Sequence, residues 1–308
     1  MLKKMIIYTP VIAILLLLAD IALCFVYPDV SVLRKENPKK TSFMLYREKE
    51  WAEEGQDKKI VQKWVPLKKV SPYLIKAVII AEDDKFWRHD GFDYAAMQQA
   101  LKKDIEKGEF KAGGSTISQQ LAKNLYLTPS KNPVRKIKEA IYTWRLEHTL
   151  SKKRIVEIYL NVAEWGDGIF GIEAAARHHY GKHASALGAE EAARLATVLP
   201  NPRRFVPTGN SRYIRYRSAS IYRIMVRRGI VIPEYEEVMN APDDAPPAAA
   251  SDALASEVNT TGIMQPYSEG TQENPDVVSK QDENKPDAPD IPLSQPEGQA
   301  GRTPDPGE

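Results

Sequence analysis

Glu82-Asp83-Asp84-Lys85-Phe86-Trp87-Arg88-His89-Asp90-Gly91, followed by Gly113-Gly114-Ser115-Thr116-Ile117-Ser118-Gln119-Gln120-Leu121-Ala122-Lys123-Asn124, is the stretch on which the reading of this chain turns. Just upstream, Ser71-Pro72 offers a helix N-cap with proline in the first helical position. Leu74, Val78 and Ile79, with Ala81 beside them, then make an apolar stripe that stops at Glu82. Three acidic side chains therefore crowd one helix end, where like charges and partial burial each raise a carboxyl pKa toward that of a useful base. An ordinary solvated helix terminus is the plain alternative. Asp93 caps a following helix through Met97, Leu101 and Ile105, closed by Gly108. Gly113 and Gly114 give a turn before Thr116-x-x-Gln119, a capping box that opens another helix. Backbone N–H groups at such a start suit phosphate oxygens. Lys123, taken alone, reads equally as a solvated surface lysine.

Moving outward, Asn132-Pro133 starts a third helix, with Val134, Ile137, Ile141 and Trp144 at helical spacing. His148 continues that stripe and reads as a structural histidine. Arg135 and Glu139 stand four apart, the spacing of a surface ion pair worth a few tenths of a kcal/mol. Further helices are expected at 152–164, 169–179, 189–199 and 211–228, and no alternating strand pattern of useful length occurs. The fold class is therefore mostly α.

The two ends of the chain differ in kind. Met5 to Tyr27 is a nearly continuous apolar run, preceded by Lys3 and Lys4. At about 1.5 Å per residue it is long enough for a hydrocarbon core of about 30 Å, and no small-residue cleavage site follows, so it reads as a retained transmembrane helix. The positive-inside rule then puts residues 1–4 in the cytoplasm and everything after residue 28 outside. Asp20 is costly in lipid and faces a partner helix or the outer interface, both readings staying open. Cys24, the only cysteine, excludes an intramolecular disulfide and multi-cysteine metal sites. It reads as a buried thiol, since Leu23 stands where lipid attachment wants a small residue. Residues 28–64 are polar, with little helical period, and read as a connector to a domain over 65–230. After Pro242 the composition turns to Asp, Glu, Pro, Ala, Ser and Gln, and 241–308 reads as an acidic, Pro-rich disordered tail. That tail holds 14 acidic and three basic residues of the chain's 41 and 43, so a formal charge of +2 divides into −11 for the tail and +13 for the rest. A basic body suits nucleic acid, anionic lipid or a phosphorylated substrate, or is simply solvated.

Two further motifs complete an ordered series, Arg135-Lys136-Ile137-Lys138-Glu139 and Ser151-Lys152-Lys153-Arg154-Ile155-Val156-Glu157-Ile158-Tyr159-Leu160-Asn161. With the two quoted first, and in the same order and comparable spacing, they resemble the motifs of the peptidoglycan glycosyltransferases, glycosyltransferase family 51, in their monofunctional form. The resemblance covers about residues 65–210. It implies a lysozyme-like, largely helical domain with a small membrane-associated lobe. It makes Glu82 the catalytic base and Glu139 the second functional carboxylate, with Asp83, Phe86, His89 and Glu157 in supporting roles. Ser115, Thr116, Gln119, Gln120, Lys123, Asn124, Lys131, Arg135 and Lys138 would line the sugar and diphosphate cleft. Lys131 stands where family members commonly carry arginine; it keeps the charge and loses the bidentate phosphate geometry.

The reaction so implied polymerises lipid II into linear glycan strands. Glu82 deprotonates the acceptor 4-hydroxyl, which attacks the anomeric carbon of the growing chain with inversion, and undecaprenyl diphosphate leaves with help from the cationic groups. No cofactor or protein-borne metal is expected, and a magnesium or manganese ion is compatible with the diphosphate. The chain contains no Ser-x-x-Lys, the nucleophile motif of the appended transpeptidase domain in bifunctional relatives, so cross-linking is not expected. The expected setting is the inner membrane with a periplasmic catalytic domain. Lipid II and growing glycan are the expected partners, with cell-division or wall-synthesis proteins compatible and nucleic acid excluded by the outward orientation. Two other readings stand beside this one: a lytic, glycan-cleaving enzyme of the same fold, and an anchored non-catalytic scaffold recruiting wall enzymes through its tail.

Overall fold

Helical periodicity turns into helix wherever a cap precedes it. The computed structural model of the protein describes residues 2–108, 113–130 and 132–232, the side chains of 2–8 and 107 apart. Lys131 and the tail 241–308 lie outside the described residues. Among those residues the helices are α1 (Leu2–Leu23), α2 (Ser42–Glu53), α3 (Pro72–Glu82), α4 (Tyr94–Lys107), α5 (Ile117–Tyr126), α6 (Pro133–Thr149), α7 (Lys152–Val162), α8 (Ile172–Tyr180), α9 (Ala189–Val198) and α10 (Arg212–Arg227). Three short strands, β1 (Val61–Gln62), β2 (Glu164–Gly166) and β3 (Ile169–Phe170), form one sheet. Its order is β1-β3-β2, with β3 parallel to β1 and antiparallel to β2. The chain is mostly helical, as its sequence predicts.

The caps explain the boundaries. Asp93 Oδ1 accepts from Ala96 N at 2.9 Å to start α4, which ends on Gly108 at φ 64°. Thr116 and Gln119 make the full capping box of α5, and Asn132 Oδ1 accepts from Val134 N at 2.8 Å to start α6. Ser71 begins α3, with Pro72 first inside it, but its hydroxyl donates to Leu187 O at 2.7 Å instead of capping.

Three expectations are corrected. Residues 28–64 are more than a connector, because α2 lies inside them with Met44 and Trp51 each 1% exposed. Its weak period hid it, since only two positions of this helix are buried. The stretch 169–179 begins as strand, and helix starts only after Gly171, whose φ of 81° no β-carbon would tolerate: one placed there would lie 2.7 Å from Asn161 O. Helix α1 ends at Leu23 and not at Tyr27. Beyond it, Arg145 of α6 donates to the carbonyls of Cys24, Val26 and Pro28 at 2.8, 3.2 and 2.7 Å, drawing the chain onto the domain. The described side chains of α1 span Thr9 to Leu23, a rise of about 22 Å. Among the described residues no helix is long and apolar enough to cross a membrane. Cys24 is buried, its thiol directed at Asp20 O at 3.3 Å.

The core fixes the relative placement of four helix ends. α3 packs on α9 and α10, while α5 packs between α6, α7 and α2. Leu74, Ala77 and Val78 of α3, Ile117 and Leu121 of α5, and Ile155 and Ile158 of α7 are fully enclosed. Burial at this level stabilises by roughly 1.5–3 kcal/mol per large side chain. The C-terminus of α3 therefore meets the N-terminus of α5, with α7 behind and α10 alongside. By contrast, the apolar stripe of α4 is not core: Met97, Leu101 and Ile105 are 37%, 52% and 67% exposed.

Candidate active site

Glu82 is the last residue of α3 and sits half-buried at that junction. Its Oε2 accepts from Gln120 Nε2 of α5 at 2.7 Å, and Gln120 Oε1 in turn accepts from the Tyr159 hydroxyl of α7 at 3.0 Å. Among the described residues Oε1 accepts no hydrogen bond, and Glu82 lines the cleft at this junction. Burial pushes the Glu82 carboxyl above its ordinary pKa; the Gln120 bond and the charges of Arg217 and Lys123 pull the other way, and Asp83 adds to the rise. A carboxylate held up in this way, with one oxygen free, has the properties of a general base.

The next residues of the motif diverge, although they are neighbours in sequence. Asp83 is buried and fully engaged: Oδ2 accepts from Ile117 N at 3.0 Å, at the start of α5, and Oδ1 lies 2.8 Å from His89 Nε2. Gly91 N donates to His89 Nδ1 at 3.1 Å, so the ring proton is on Nε2 and goes to Asp83. This pair ties the Glu82 loop to α5. Asp84 is exposed and takes both arms of Arg228, at 2.5 and 2.8 Å, which holds its carboxyl below the ordinary value. Phe86 is fully buried, with Lys152 Nζ 4.4 Å from its ring centre.

A cleft of about 290 Å³ opens along this junction. Glu82 to Lys85 line one side and Gly113 to Thr116 the other, with Asp93, Ala96 and Gln99 of α4 at its edge. Gly114 makes this approach feasible, because a β-carbon there would lie 3.2 Å from Ala100 Cβ. Thr116 and Gln119 are spent on structure: the Thr116 hydroxyl donates to Gly91 O at 2.7 Å, and both side chains close the α5 cap. Ser115 stays half-buried at the rim, with Lys136 Nζ 3.3 Å from its hydroxyl. Asn124 is buried one residue beyond Lys123.

Lys123 is the central cation. Burial lowers its pKa, and the charges of Glu139 and Glu82 raise it, so it lies in the field of both carboxylates. Glu139 is different from Glu82. It is 3% exposed and saturated by its own helix, with Arg135 Nη1 at 2.6 Å on one oxygen and Lys136 Nζ on the other. It therefore pins two cations, Lys136 beside Ser115 and Arg135, whose Nε donates to Ser130 O at 2.6 Å. Lys138, expected with them, is on another face of α6, 2.5 Å from Asp20 of α1. That contact gives Asp20 the partner helix that one of its two readings called for. Glu157 acts away from the cleft: it accepts from Leu67 N at 2.9 Å and pairs with Arg154, fixing the segment before α3. His148 is structural, its Nδ1 2.8 Å from Trp144 O.

Four site residues escaped the sequence reading: Lys136, Tyr159, Arg217 and Arg228. Lys136 stood inside a quoted motif and could have been found there. Tyr159 read as core, which its 1% exposure bears out, but its hydroxyl reaches the site. Arg217 and Arg228 come from α10 and beyond, where only packing brings Arg217 to Ala81 O at 3.0 Å. Among the described residues no group of three or more His, Cys, Asp or Glu could hold a metal ion.

Known proteins similar in sequence to this chain share one description. A biosynthetic peptidoglycan transglycosylase of Dechloromonas aromatica is 54% identical over 169 residues, covering 55% of this chain and 73% of that protein. One from Aromatoleum aromaticum is 53% identical over 190 residues, 60% and 83% of the two chains. One from Laribacter hongkongensis is 44% identical over 214 residues, 70% and 94%. The family described as Transglycosylase matches residues 48–226, which takes in α3 to α7 and nearly all of α10. More than half of the chain lies within that match and every part of the Glu82 cleft falls inside it, Arg228 alone standing just beyond, so this chain belongs to the transglycosylase family and is an enzyme of it.

Proposed function

We propose that this enzyme is a peptidoglycan glycosyltransferase that polymerises lipid II into linear glycan, with inversion at the anomeric carbon and release of undecaprenyl diphosphate. The reading is carried by one observation: the Glu82 carboxylate is half-buried, lines the cleft and is bound on Oε2 by a neutral amide, Gln120, with Lys123 in the field of both Glu82 and Glu139. The relatives' name, biosynthetic peptidoglycan transglycosylase, points to the same substrate class.

In this reading Glu82 Oε1 takes the proton of the acceptor 4-hydroxyl as that oxygen attacks the donor's anomeric carbon, and the bond to the diphosphate breaks. Negative charge grows on the departing diphosphate, where Lys123, Arg135 and Lys136 stabilise it at low cost because Glu139 already holds two of them in place. The Ser115 hydroxyl lies in the same region, 3.3 Å from Lys136 Nζ. The lysozyme-like form of the domain rests on the family resemblance.

Both reactants carry a polyprenyl tail, so the enzyme works at a membrane surface. The exposed stripe of Met97, Leu101 and Ile105 on α4, and the exposed Leu15, Leu16 and Leu18 of α1, support a membrane-facing side. The apolar run from Met5 to Tyr27 behind Lys3 and Lys4 in the sequence supports a membrane anchor with the catalytic domain in the periplasm. The test is polymerisation of purified lipid II in detergent by the full chain and by Glu82→Gln. Polymer from the wild type alone is the expected outcome; equal polymer from both removes Glu82 as base, and none from either favours the anchored scaffold.

A further inference from the structure

Tyr159 lies at the middle of α7, wholly enclosed, and its hydroxyl has a single partner, Gln120 Oε1 at 3.0 Å. Burial, with the charges of Glu82 and Asp83 nearby, pushes the phenol well above its ordinary pKa, so it stays protonated. A protonated phenol can donate or accept, but a buried O–H left without an acceptor is costly, and Gln120 Oε1 is the acceptor it finds here. The two ends of a glutamine amide differ little in shape, and its orientation follows from its partners. Because Tyr159 donates to Oε1, the amide N–H₂ is turned toward Glu82 Oε2, at 2.7 Å. Reversed, the amide oxygen would stand against a carboxylate oxygen at the same distance, an arrangement tolerable only when Glu82 is protonated.

We propose that Tyr159 is a positioning residue for the base: its hydroxyl locks the Gln120 amide in the one orientation that keeps Glu82 ionised. The proposal rests on the reading of Glu82 as base. It also changes the assignment of Gln120, from a group that meets substrate to one that orients the carboxylate. Other groups act on Glu82 as well. Lys123 of α5 and Arg217 of α10 favour its charge, while Asp83 next to it opposes that charge, and Tyr213 of α10 lies within its field. Loss of the lock is therefore graded and not total.

The test compares wild type, Tyr159→Phe, Gln120→Leu and the double variant as full chains in detergent. Lipid II polymerisation is followed across about pH 5 to 9, and Glu82 titration is read by carboxyl infrared or carbon NMR difference against Glu82→Gln. Tyr159→Phe is expected to move the acid limb of kcat/KM to higher pH, with about a tenfold loss near pH 6 that shrinks as pH rises. The carboxyl titration should move the same way. In the Gln120→Leu background, Tyr159→Phe should move neither. An unmoved Glu82 titration in Tyr159→Phe overturns the proposal, as does a loss equal at all pH, or a displacement that persists without Gln120. An inactive wild type would instead sink the functional reading, while the titration still decides the lock.

Discussion

The end of α3 and the first turns of α6 each bring a glutamate, one half-buried and one buried, into the field of Lys123, and they treat it in opposite ways. At the i−3 and i−4 places of Glu82 stand Ile79 and Val78, so its own helix offers it no cation. Its partner is a neutral amide from another helix, and its pKa rises. Glu139 is mid-helix, with Lys136 and Arg135 at i−3 and i−4, and both of its oxygens are taken by cations. Burial is common to both. What makes one a base and the other a brace is who completes the coordination, and that follows from the residues three and four places before each: apolar for Glu82, cationic for Glu139.

The sharpest way to break this comparison is to neutralise each carboxylate in turn. Glu82→Gln should lower kcat by about 10³-fold, since general-base contributions run near 10²–10⁴. It should also be more thermally stable than wild type at pH 8. The sign follows from the raised pKa: the folded state holds the Glu82 proton more tightly than the unfolded chain, so ionisation costs stability as pH rises through that range. The advantage should fade in acid, and thermal melts at two pH values check it. A Glu82→Gln variant less stable than wild type at pH 8 would end the contrast.

Glu139→Gln should go the other way in stability, losing about 1–3 kcal/mol as two cations lose their counter-charge, read by denaturant unfolding. Its activity should fall about ten- to a hundredfold, mainly through weaker handling of the donor diphosphate. Equal effects on kcat and no effect on stability would mean that Glu139 does chemistry of its own.

Arg217→Met sharpens the Glu82 side. It removes a cation that favours the carboxylate, so the acid limb of the rate profile should move to higher pH, with a loss of about three- to tenfold at the acid end. An unchanged profile would confine Arg217 to its bond with Ala81 O. The smallest effect belongs to Asp84→Asn. Arg228 and Asp84 are about half exposed, so the pair is worth about 0.2–1 kcal/mol. Because the Asp84 pKa is depressed, that stability is present above its ordinary value of 3.8 and is lost as pH falls through the folded-state pKa. Melts at neutral pH should separate the two proteins and melts near pH 2 should not.

How much was legible beforehand can be seen residue by residue. Asp93, Thr116 with Gln119, and Asn132 with Pro133 announce their helices because caps satisfy backbone N–H groups locally. Glu82 was legible as a candidate because its helix visibly ends there. Helix α2 was not, since two buried positions in twelve make no periodic signal. Lys138 was placed with the diphosphate cations by its motif, but helix rotation sends it to Asp20, whose partner was the open question in that segment. The exposed face of α4 has the same pattern as a core helix, for period alone does not say what covers an apolar stripe.

By itself, then, the sequence determined the helical class, the starts of the capped helices α4, α5 and α6, the order of the four motifs and the family, all of which depend on residues within a few turns of one another. Only the tertiary structure decided that Glu82 is bound by Gln120 on one oxygen, that Tyr159 reaches it through Gln120, and that Arg217 of α10 and Arg228 just after it arrive beside the motif. The reason is physical: a carboxylate's pKa and its hydrogen-bond partners are set by burial and by charges within a few ångströms, and those neighbours lie 38 to 144 positions away along the chain.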